Sequence, residues 1–505
     1  MSLLSGRKTF LALLIFSSIL IFILSHLIWS LALPPPWTDE THFLIPAIAL
    51  AHHGSLSGAR MLTPQIYWMP SGFYLLNGLV FFLSGHDSIQ VGRLVSFACI
   101  TAAALILRRV VSLTLSRIDS VWPLLGDTFV IGWYISLPVV LTADIARPDA
   151  LALLTIIVAL DCFLRGRLVA GFAFSAFSLL VHPLLGFPAC AVAACMLPAL
   201  GLKSFERDRI HRWEWIVLAF AAAAIAVEIA RLISDFTVYR SHWAFQLSRK
   251  EERSVGWTTK TIAALTVTTF CWAFFRSWTE RAWTKLFPPA GLQRLLVLVF
   301  SFATLLVQQI GQEMWYFPFL LLGLILILVV ALGSPELASR MAASRVVAIS
   351  MSALCLCAGL STWSLAFRPR GAFGFHAQRG FLVKVSTSLQ FVTDATHASL
   401  LRDNASEVLV DPSLYFSFLD SHNPAPQAFT WNPLSRPNSI RFDHIVTMKR
   451  GYPSFKTDLP LNLLSGYACL SEKDIRAPSG LYVISITAVA YRSQTRSTFV
   501  PCSTR

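Results

Sequence analysis

Two short acidic motifs contain the residue types in this sequence that are best suited to chemistry. The first, PPPWTDETHF, contains Asp39 and Glu40, and the second, TADIARPDALALL, contains Asp144, Arg147 and Asp149. A carboxylate positioned beside a reacting hydroxyl group can accept its proton as a general base. A structural interpretation is also open, because acidic residues in the first turn of a helix cap it and complement its dipole. These motifs therefore predict either a reaction site or two ordinary helix starts.

A cationic segment is the second feature that could take part in chemistry. Residues 239–260, YRSHWAFQLSRKEERSVGWTTK, contain the cations Arg240, Arg249, Lys250, Arg253 and Lys260. The order of apolar segments places this stretch outside the cytoplasm, where the positive-inside rule disfavours Arg and Lys. Either the helix count is wrong by one or the cations have a function there. The loops on both sides follow the rule, which favours a function such as binding an anion.

Other polar residues close to the apolar segments are candidates for supporting roles. His42 lies one helical turn after the aspartate of the first motif, Arg60 belongs to the same outer segment, and His182 stands at an outer helix end. Glu228 lies inside an apolar segment, where a central charge costs about 2.5–3.5 kcal/mol. Arg231 follows it by three residues, and this spacing predicts an intramembrane ion pair.

The elements that must position these residues are membrane helices. The chain of 505 residues is 55% hydrophobic and only 13% charged, with a mean hydropathy of +0.62. A soluble domain carries about a quarter charged residues. The net charge of +14 does not indicate nucleic-acid binding, because the arginines form short clusters between apolar segments, as membrane topology requires.

About eleven apolar segments are long enough to be predicted as spanning helices. They are residues 10–33, 90–112, 128–143, 149–164, 168–182, 184–202, 214–234, 261–276, 292–310, 314–333 and 345–366. The aromatic stretch 66–84, with Pro70 and Gly72, predicts a helix at the interface or one that enters it partway. The expected fold class is an all-α polytopic membrane protein with a small mixed α/β domain outside.

The chain divides into a membrane region, 1–366, and a C-terminal domain, 367–505. The first outer loop covers about 34–89. An odd number of spans and a cytoplasmic N-terminus place the C-terminal domain outside the cytoplasm. Its short alternating stretches, such as SEVLV and GLYVISITAVAY, predict strands. Cys469 and Cys502 are the cysteines of this domain, and we expect them to form a disulfide because this compartment permits one.

Four stretches of the sequence resemble the GT-C membrane glycosyltransferases. The resemblance is strongest to the family-39 type, which includes protein O-mannosyltransferases and lipid A aminoarabinose transferases. The stretches are WTDETHF at 37–43, YWMPSGFYLLNGLVFFLSGHDSIQVGRLVS at 67–96, ARPDALALLTIIVAL at 146–160 and QEMWYFPFLLLGLILIL at 312–328. The chain departs from the family at Met69-Pro70-Ser71, the start of the aromatic helix, so the resemblance does not specify an acceptor.

The resemblance implies a GT-C-like fold and a role for each matched residue. Asp39 would be the catalytic base with Glu40 as its neighbour, while Asp149 and Asp144 would shape a donor or metal site. Whether a divalent metal ion is required stays open. The cations Arg147, Arg240, Arg249, Lys250 and Arg253 would stabilise the charge of a departing lipid phosphate, with Arg60 on the same side.

The function implied is transfer of a sugar from a polyprenyl-phosphate donor to an extracytoplasmic acceptor with inversion. The acceptor would be a lipid, a glycan or a protein hydroxyl group, and the location a bacterial inner membrane with the site facing the periplasm. The alternative is a transporter or lipid flippase. Transporters keep ionisable residues near the bilayer midplane, whereas the acidic residues here concentrate at outer helix ends, which favours a reaction at the surface.

Overall fold

The computed structural model describes most of the chain. The described residues are 38–55, 70–115, 122–200, 212–234, 236–237, 239–241, 244, 256–279, 290–311, 316–333, 345–361, 379–419, 425–428, 441–450, 467–491 and 502. The predicted first span, 10–33, and the expected domain boundary at 366/367 lie outside these ranges.

The described part of the chain is mostly helical. Its helices are α1 Thr38–His53, α2 Gly72–Ser84, α3 Ile89–Leu115, α4 Trp122–Tyr134, α5 Leu137–Asp144, α6 Pro148–Leu164, α7 Leu168–Val181, α8 Pro183–Leu200, α9 Arg212–Ser234, α10 Trp257–Thr279, α11 Ala290–Gly311, α12 Phe317–Leu332, α13 Arg345–Ser361, α14 Arg379–Arg402 and α15 Tyr415–Phe418. The apolar side chains of α1 to α8 and of α10 to α12 form one continuous core, which includes Leu44, Ile100, Phe163 and Phe300.

One helix that was predicted to be continuous is broken in the structure. The sequence predicts a single span over 128–143, but the structure has α4 and α5 meeting at a bend of 55°. Pro138 is the second residue of α5. The N-cap residue, Ser136, has an extended backbone (φ −65°, ψ 141°). Proline lacks the N–H that a continuous helix would need and is favoured in a first turn. The chain therefore breaks there and starts a new helix.

The number of spanning helices stays a prediction. Among the described helices, α3, α9 and α11 are long and apolar enough to cross a membrane, and the bent pair α4–α5 would make a fourth span. Helices α2, α7, α8 and α12 are apolar but shorter. The described part of the protein is therefore rich in apolar helices, and the expected count of about eleven spans is not confirmed.

A mixed sheet follows α14 and confirms the predicted α/β character of the C-terminal part. Its strands are β1 Glu407–Val410, β2 Ala425–Ala428, β3 His444–Arg450, β4 Tyr467–Arg476 and β5 Val483–Tyr491, in the order β2-β1-β3-β5-β4. Strand β1 runs parallel to both of its neighbours, and the other pairs are antiparallel. The predicted stretches SEVLV and GLYVISITAVAY contain β1 and β5.

Both faces of the sheet are buried around β1. Val408 and Val410 pack on one face with residues of α14, while Leu409 faces a second cluster that contains Cys469. This division follows from the two-residue period of a strand. The predicted disulfide between Cys469 and Cys502 is confirmed, with the two Cα atoms 5.6 Å apart.

The C-terminal part contacts α1 directly. The hydroxyl group of Thr41 donates to the carbonyl oxygen of Pro412 at 2.6 Å, just after β1. Ile45 and Ala49 on α1 form a buried cluster with Tyr415 and Ala428. The helix that carries the first acidic motif is therefore also the docking surface of the sheet.

Candidate active site

Glu40 joins the two acidic motifs. Its carboxylate accepts two hydrogen bonds from Arg93 on α3, at 2.7 Å from Nε and 2.6 Å from Nη2. The same carboxylate accepts the backbone N–H of Ala146, between α5 and α6, at 2.8 Å. Glu40 is fully buried and Arg93 is 5% exposed. A buried ion pair with bidentate geometry fixes the orientation of both partners, so Glu40 holds α1, α3 and the second motif together.

The second motif forms a tight buried turn against α1. Arg147 donates from Nε to Oδ2 of Asp149 at 2.9 Å, and its guanidinium group lies 5.8 Å from the ring centroid of Phe43. The other carboxylate oxygen of Asp149, Oδ1, has no hydrogen-bond partner among the described residues. Asp144, the last residue of α5, is also buried. This turn therefore concentrates two buried carboxylates and a cation beside the start of α1.

Local sequence explains how this turn forms. Ile145 and Arg147 have extended backbones, with φ of −118° and −130°, and Pro148 then starts α6. Extended geometry before proline is expected, because the proline ring disfavours a helical backbone in the preceding residue. A Cβ atom at Gly92 on α3 would lie 2.8 Å from Leu44 and 3.1 Å from Ala146. Glycine at this position therefore allows α3 to approach both motifs.

The structure places the remaining predicted residues of the first motif on α1. Asp39 is the second residue of the helix, one position before Glu40. Its side chain lies outside the described part of the structure. His42 is half-buried on the next turn, so the predicted helical spacing between Asp39 and His42 is present. The helical backbone places Asp39 in the first turn, next to the buried ion pair.

Most of the predicted cations lie outside the described residues. These are Arg60, Arg249, Lys250 and Arg253. Arg240 is described and is exposed after the end of α9. His182 caps the C-terminus of α7, and its ring centroid lies 6.4 Å from that of Tyr316. The structure therefore brings Glu40, Arg147 and Asp149 together and leaves the contribution of the cationic segment as a prediction.

Arg93 is the site residue that sequence reasoning did not assign. It belongs to one of the stretches that carry the family resemblance, but its partner is 53 residues away in the chain. The signal that could have identified it is a lone arginine near the start of an apolar helix, which requires a buried counter-charge.

The pair predicted between Glu228 and Arg231 is confirmed, with a distance of 2.5 Å between Oε1 and Nη2.

The described residues contain no group of three or more His, Cys, Asp or Glu side chains that could hold a metal ion. Asp149 offers one carboxylate oxygen without a hydrogen bond, which is fewer ligands than a magnesium or manganese site usually takes from protein and substrate together.

Comparisons with known proteins give one structural likeness. No protein-family model and no curated protein matches the chain. A similar solved structure is that of ArnT from Cupriavidus metallidurans bound to undecaprenyl phosphate. The two chains are 16% identical, with a TM-score of 0.41, over 76% of this chain and 72% of the other.

Proposed function

We propose that this protein is an integral membrane glycosyltransferase of the GT-C type. It would transfer a sugar from a polyprenyl-phosphate donor to an acceptor hydroxyl group outside the cytoplasm, with inversion at the anomeric carbon. The proposal joins the resemblance of the four sequence stretches to the arrangement of the two acidic motifs. Its setting would be the inner membrane of a bacterium, with the site on the outer face.

The observation that carries the proposal is the buried contact between the motifs. Glu40 uses both carboxylate oxygens on Arg93 and the N–H of Ala146, so it is a positioning residue rather than the base. Asp39 lies next to it on the first turn of the same helix, where a proton acceptor can face the reactants. Asp149 keeps one buried oxygen without a hydrogen bond, and a ligand hydroxyl group can fill that place.

The reaction follows from this assignment. The acceptor oxygen attacks the anomeric carbon of the donor as its proton passes to the Asp39 carboxylate. The bond between that carbon and the phosphate oxygen breaks, and the polyprenyl phosphate leaves with the bonding electrons. Cations beside the departing phosphate lower the barrier. The segment with Arg240, Arg249, Lys250 and Arg253 would supply most of this charge, because Arg147 already pairs with Asp149.

The test is the substitution Asp39→Asn in the full-length protein. The amide keeps the shape of the side chain but cannot accept the proton, so transfer should fall by about 10²–10⁴-fold. The measurement is radiolabelled sugar transfer from undecaprenyl-phosphoryl sugars to total envelope acceptors, at equal levels of folded protein. Loss of general-base catalysis should lower kcat and leave the affinity for the donor nearly unchanged.

Asp127→Asn is the matched control. Asp127 pairs with Arg108 on α3, and Arg108 is roughly 22 Å along the helix from Arg93 at 1.5 Å per residue. This variant should transfer as the wild type does. If Asp39→Asn also transfers normally, Asp39 is not the base, and Asp149→Asn becomes the next variant to measure. If the wild type transfers no sugar from any lipid-phosphate donor, the proposed function is wrong.

A further inference from the structure

A second polar cluster lies where α2 begins, and the proposed reaction does not use it. Glu228 on α9 is 5% exposed, and its carboxylate accepts the backbone N–H of Ser71 at 3.1 Å. Arg231 donates to the same carboxylate, with 2.5 Å between Nη2 and Oε1. The ion pair therefore fixes the first turn of α2 against α9.

Two hydroxyl groups beside this ion pair have no hydrogen-bond partner among the described residues. They are Oγ of Ser71 and the phenolic oxygen of Tyr74, in residues that are 6% and 1% exposed. The residues are three positions apart and therefore lie on one face of the first turn. Tyr74 is within electrostatic range of both Glu228 and Arg231. Buried hydroxyl groups are nearly always satisfied, so two such groups on one helical turn are places that a bound polar molecule can fill.

The charges of the cluster define what kind of molecule fits. A helix N-terminus attracts anions, but Glu228 already accepts the N–H of Ser71. Arg231 is balanced by the same carboxylate. The cluster therefore has little net charge to offer a phosphate. The groups that remain are hydroxyls, which both donate and accept hydrogen bonds, as the hydroxyl groups of a neutral sugar ring do.

Aromatic packing connects this cluster to the candidate active site. The ring of Phe73 lies 5.9 Å from that of Phe43, edge to face, and Tyr74 follows Phe73 in α2. The guanidinium group of Arg147 lies 5.8 Å from the centroid of the same Phe43 ring. A Cβ atom at Gly72 would lie 2.7 Å from the carbonyl oxygen of Leu180, so α7 closes the same turn from behind. The turn that carries the two hydroxyl groups is therefore connected to the acidic turn through Phe73 and Phe43.

We infer that Ser71 and Tyr74 bind the hydroxyl groups of a sugar ring, while Glu228 and Arg231 hold the turn that presents them. This inference rests on the proposed function. The sugar is either the one carried by the lipid phosphate or a sugar unit of the acceptor. Met69-Pro70-Ser71 is where the sequence departs from the family it resembles, so this subsite would be a specificity feature of this chain.

The experiment measures ligand binding by thermal unfolding of the purified full-length protein in lipid nanodiscs. The ligands are undecaprenyl phosphate, a panel of undecaprenyl-phosphoryl hexoses and pentoses, and the methyl glycosides of the same sugars. The variants are Ser71→Ala and Tyr74→Phe, and Ser301→Ala is the control because its buried hydroxyl group is satisfied by the carbonyl of Val297 at 2.6 Å. Without ligand, Ser71→Ala and Tyr74→Phe should keep the wild-type Tm, since neither loses a hydrogen bond.

Each variant should bind bare undecaprenyl phosphate as tightly as the wild type and the sugar ligand about 2- to 10-fold more weakly. Weaker binding of the lipid-linked sugar assigns the subsite to the donor. Weaker binding of the methyl glycoside alone, with donor binding intact, assigns it to the acceptor. If both variants match the wild type and Ser301→Ala for every sugar that the wild type binds, the hydroxyl groups hold only water and the inference is overturned, while the proposed function stands. If the wild type binds none of these ligands, both fail.

Discussion

The buried ion pair between Glu40 and Arg93 predicts a large loss of stability from a single substitution. In Glu40→Gln a neutral amide replaces the carboxylate, and Arg93, whose side chain is 7% exposed, keeps its charge without a counter-ion. Removing one partner of a buried ion pair costs about 3–5 kcal/mol. The two short contacts of 2.6 and 2.7 Å and the full burial of Glu40 place this pair at the upper end of that range.

A second ion pair that involves α3 has the same geometry but is exposed. Comparing the two pairs therefore measures the effect of burial on stability. Arg108 and Asp127 have the same bidentate arrangement, with contacts of 2.6 and 3.1 Å, but the Arg108 side chain is 63% exposed. An exposed ion pair contributes at most about 1 kcal/mol. Thermal unfolding of purified protein should therefore show a Tm decrease for Glu40→Gln that is several times the decrease for Asp127→Asn.

The double variant Glu40→Gln with Arg93→Met tests whether Glu40 positions the site or reacts. Removing both charges leaves no uncompensated ion in the interior, so the double variant should be more stable than either single variant. Because Asp39 is unchanged, part of the transfer activity lost in Glu40→Gln should return with the fold. Equal Tm decreases for Glu40→Gln and Asp127→Asn, or a double variant no more stable than the singles, would refute a structural role for this pair.

Two further predictions concern the C-terminal sheet. The disulfide between Cys469 and Cys502 links residues 33 positions apart. Replacing both cysteines with serine should therefore lower the free energy of unfolding by about 3–4 kcal/mol, because the unfolded chain gains entropy. Peptide mapping without reductant should find the linked pair, and alkylation of both thiols would contradict it. Lys449 bridges Glu472 and Asp474 at 2.6 and 2.9 Å, and its hydrogen bond to Glu472 lowers the pKa of that carboxyl. Since the folded pKa lies below the unfolded value, the stabilisation is present above about pH 4.3 and is lost as the pH falls through the folded pKa. The Tm difference between wild type and Lys449→Met should therefore be constant from pH 7 to about 5 and shrink below 4, and a constant difference down to pH 3 would contradict this account.

Sequence patterns predicted the features that depend on local order. The apolar segment 90–112 corresponds to α3, and 292–310 corresponds to α11, because each needs only a long run of apolar residues. The pair of Glu228 and Arg231 was predictable because its members lie on one helix face. The disulfide was predictable because its two cysteines share one domain. In each case, a rule acting over a few residues or within one compartment was sufficient.

Features that depend on distant packing were not predictable in the same way. The sequence supplied no reason to pair Glu40 with Arg93 rather than with another cation, because that choice depends on how α1 crosses α3. Pro138 is a local signal for the bend between α4 and α5. The apolar residues on both sides nevertheless predicted one continuous span. The contact between Thr41 and Pro412 joins residues 371 positions apart, and no periodicity in the chain indicates it.

The contacts of α1 explain how the backbone of the proposed base would be held in place. Three nearly consecutive residues each contact a different part of the protein. Glu40 binds α3 and the acidic turn, Thr41 binds the segment that follows β1, and Phe43 packs against Arg147 and α2. A helix fixed at successive positions on different sides has little freedom to rotate or slide. Asp39 lies at the end of this fixed segment, so its position follows the relative placement of all these parts. Because the sheet is one of them, displacement of the C-terminal part would move the proposed base.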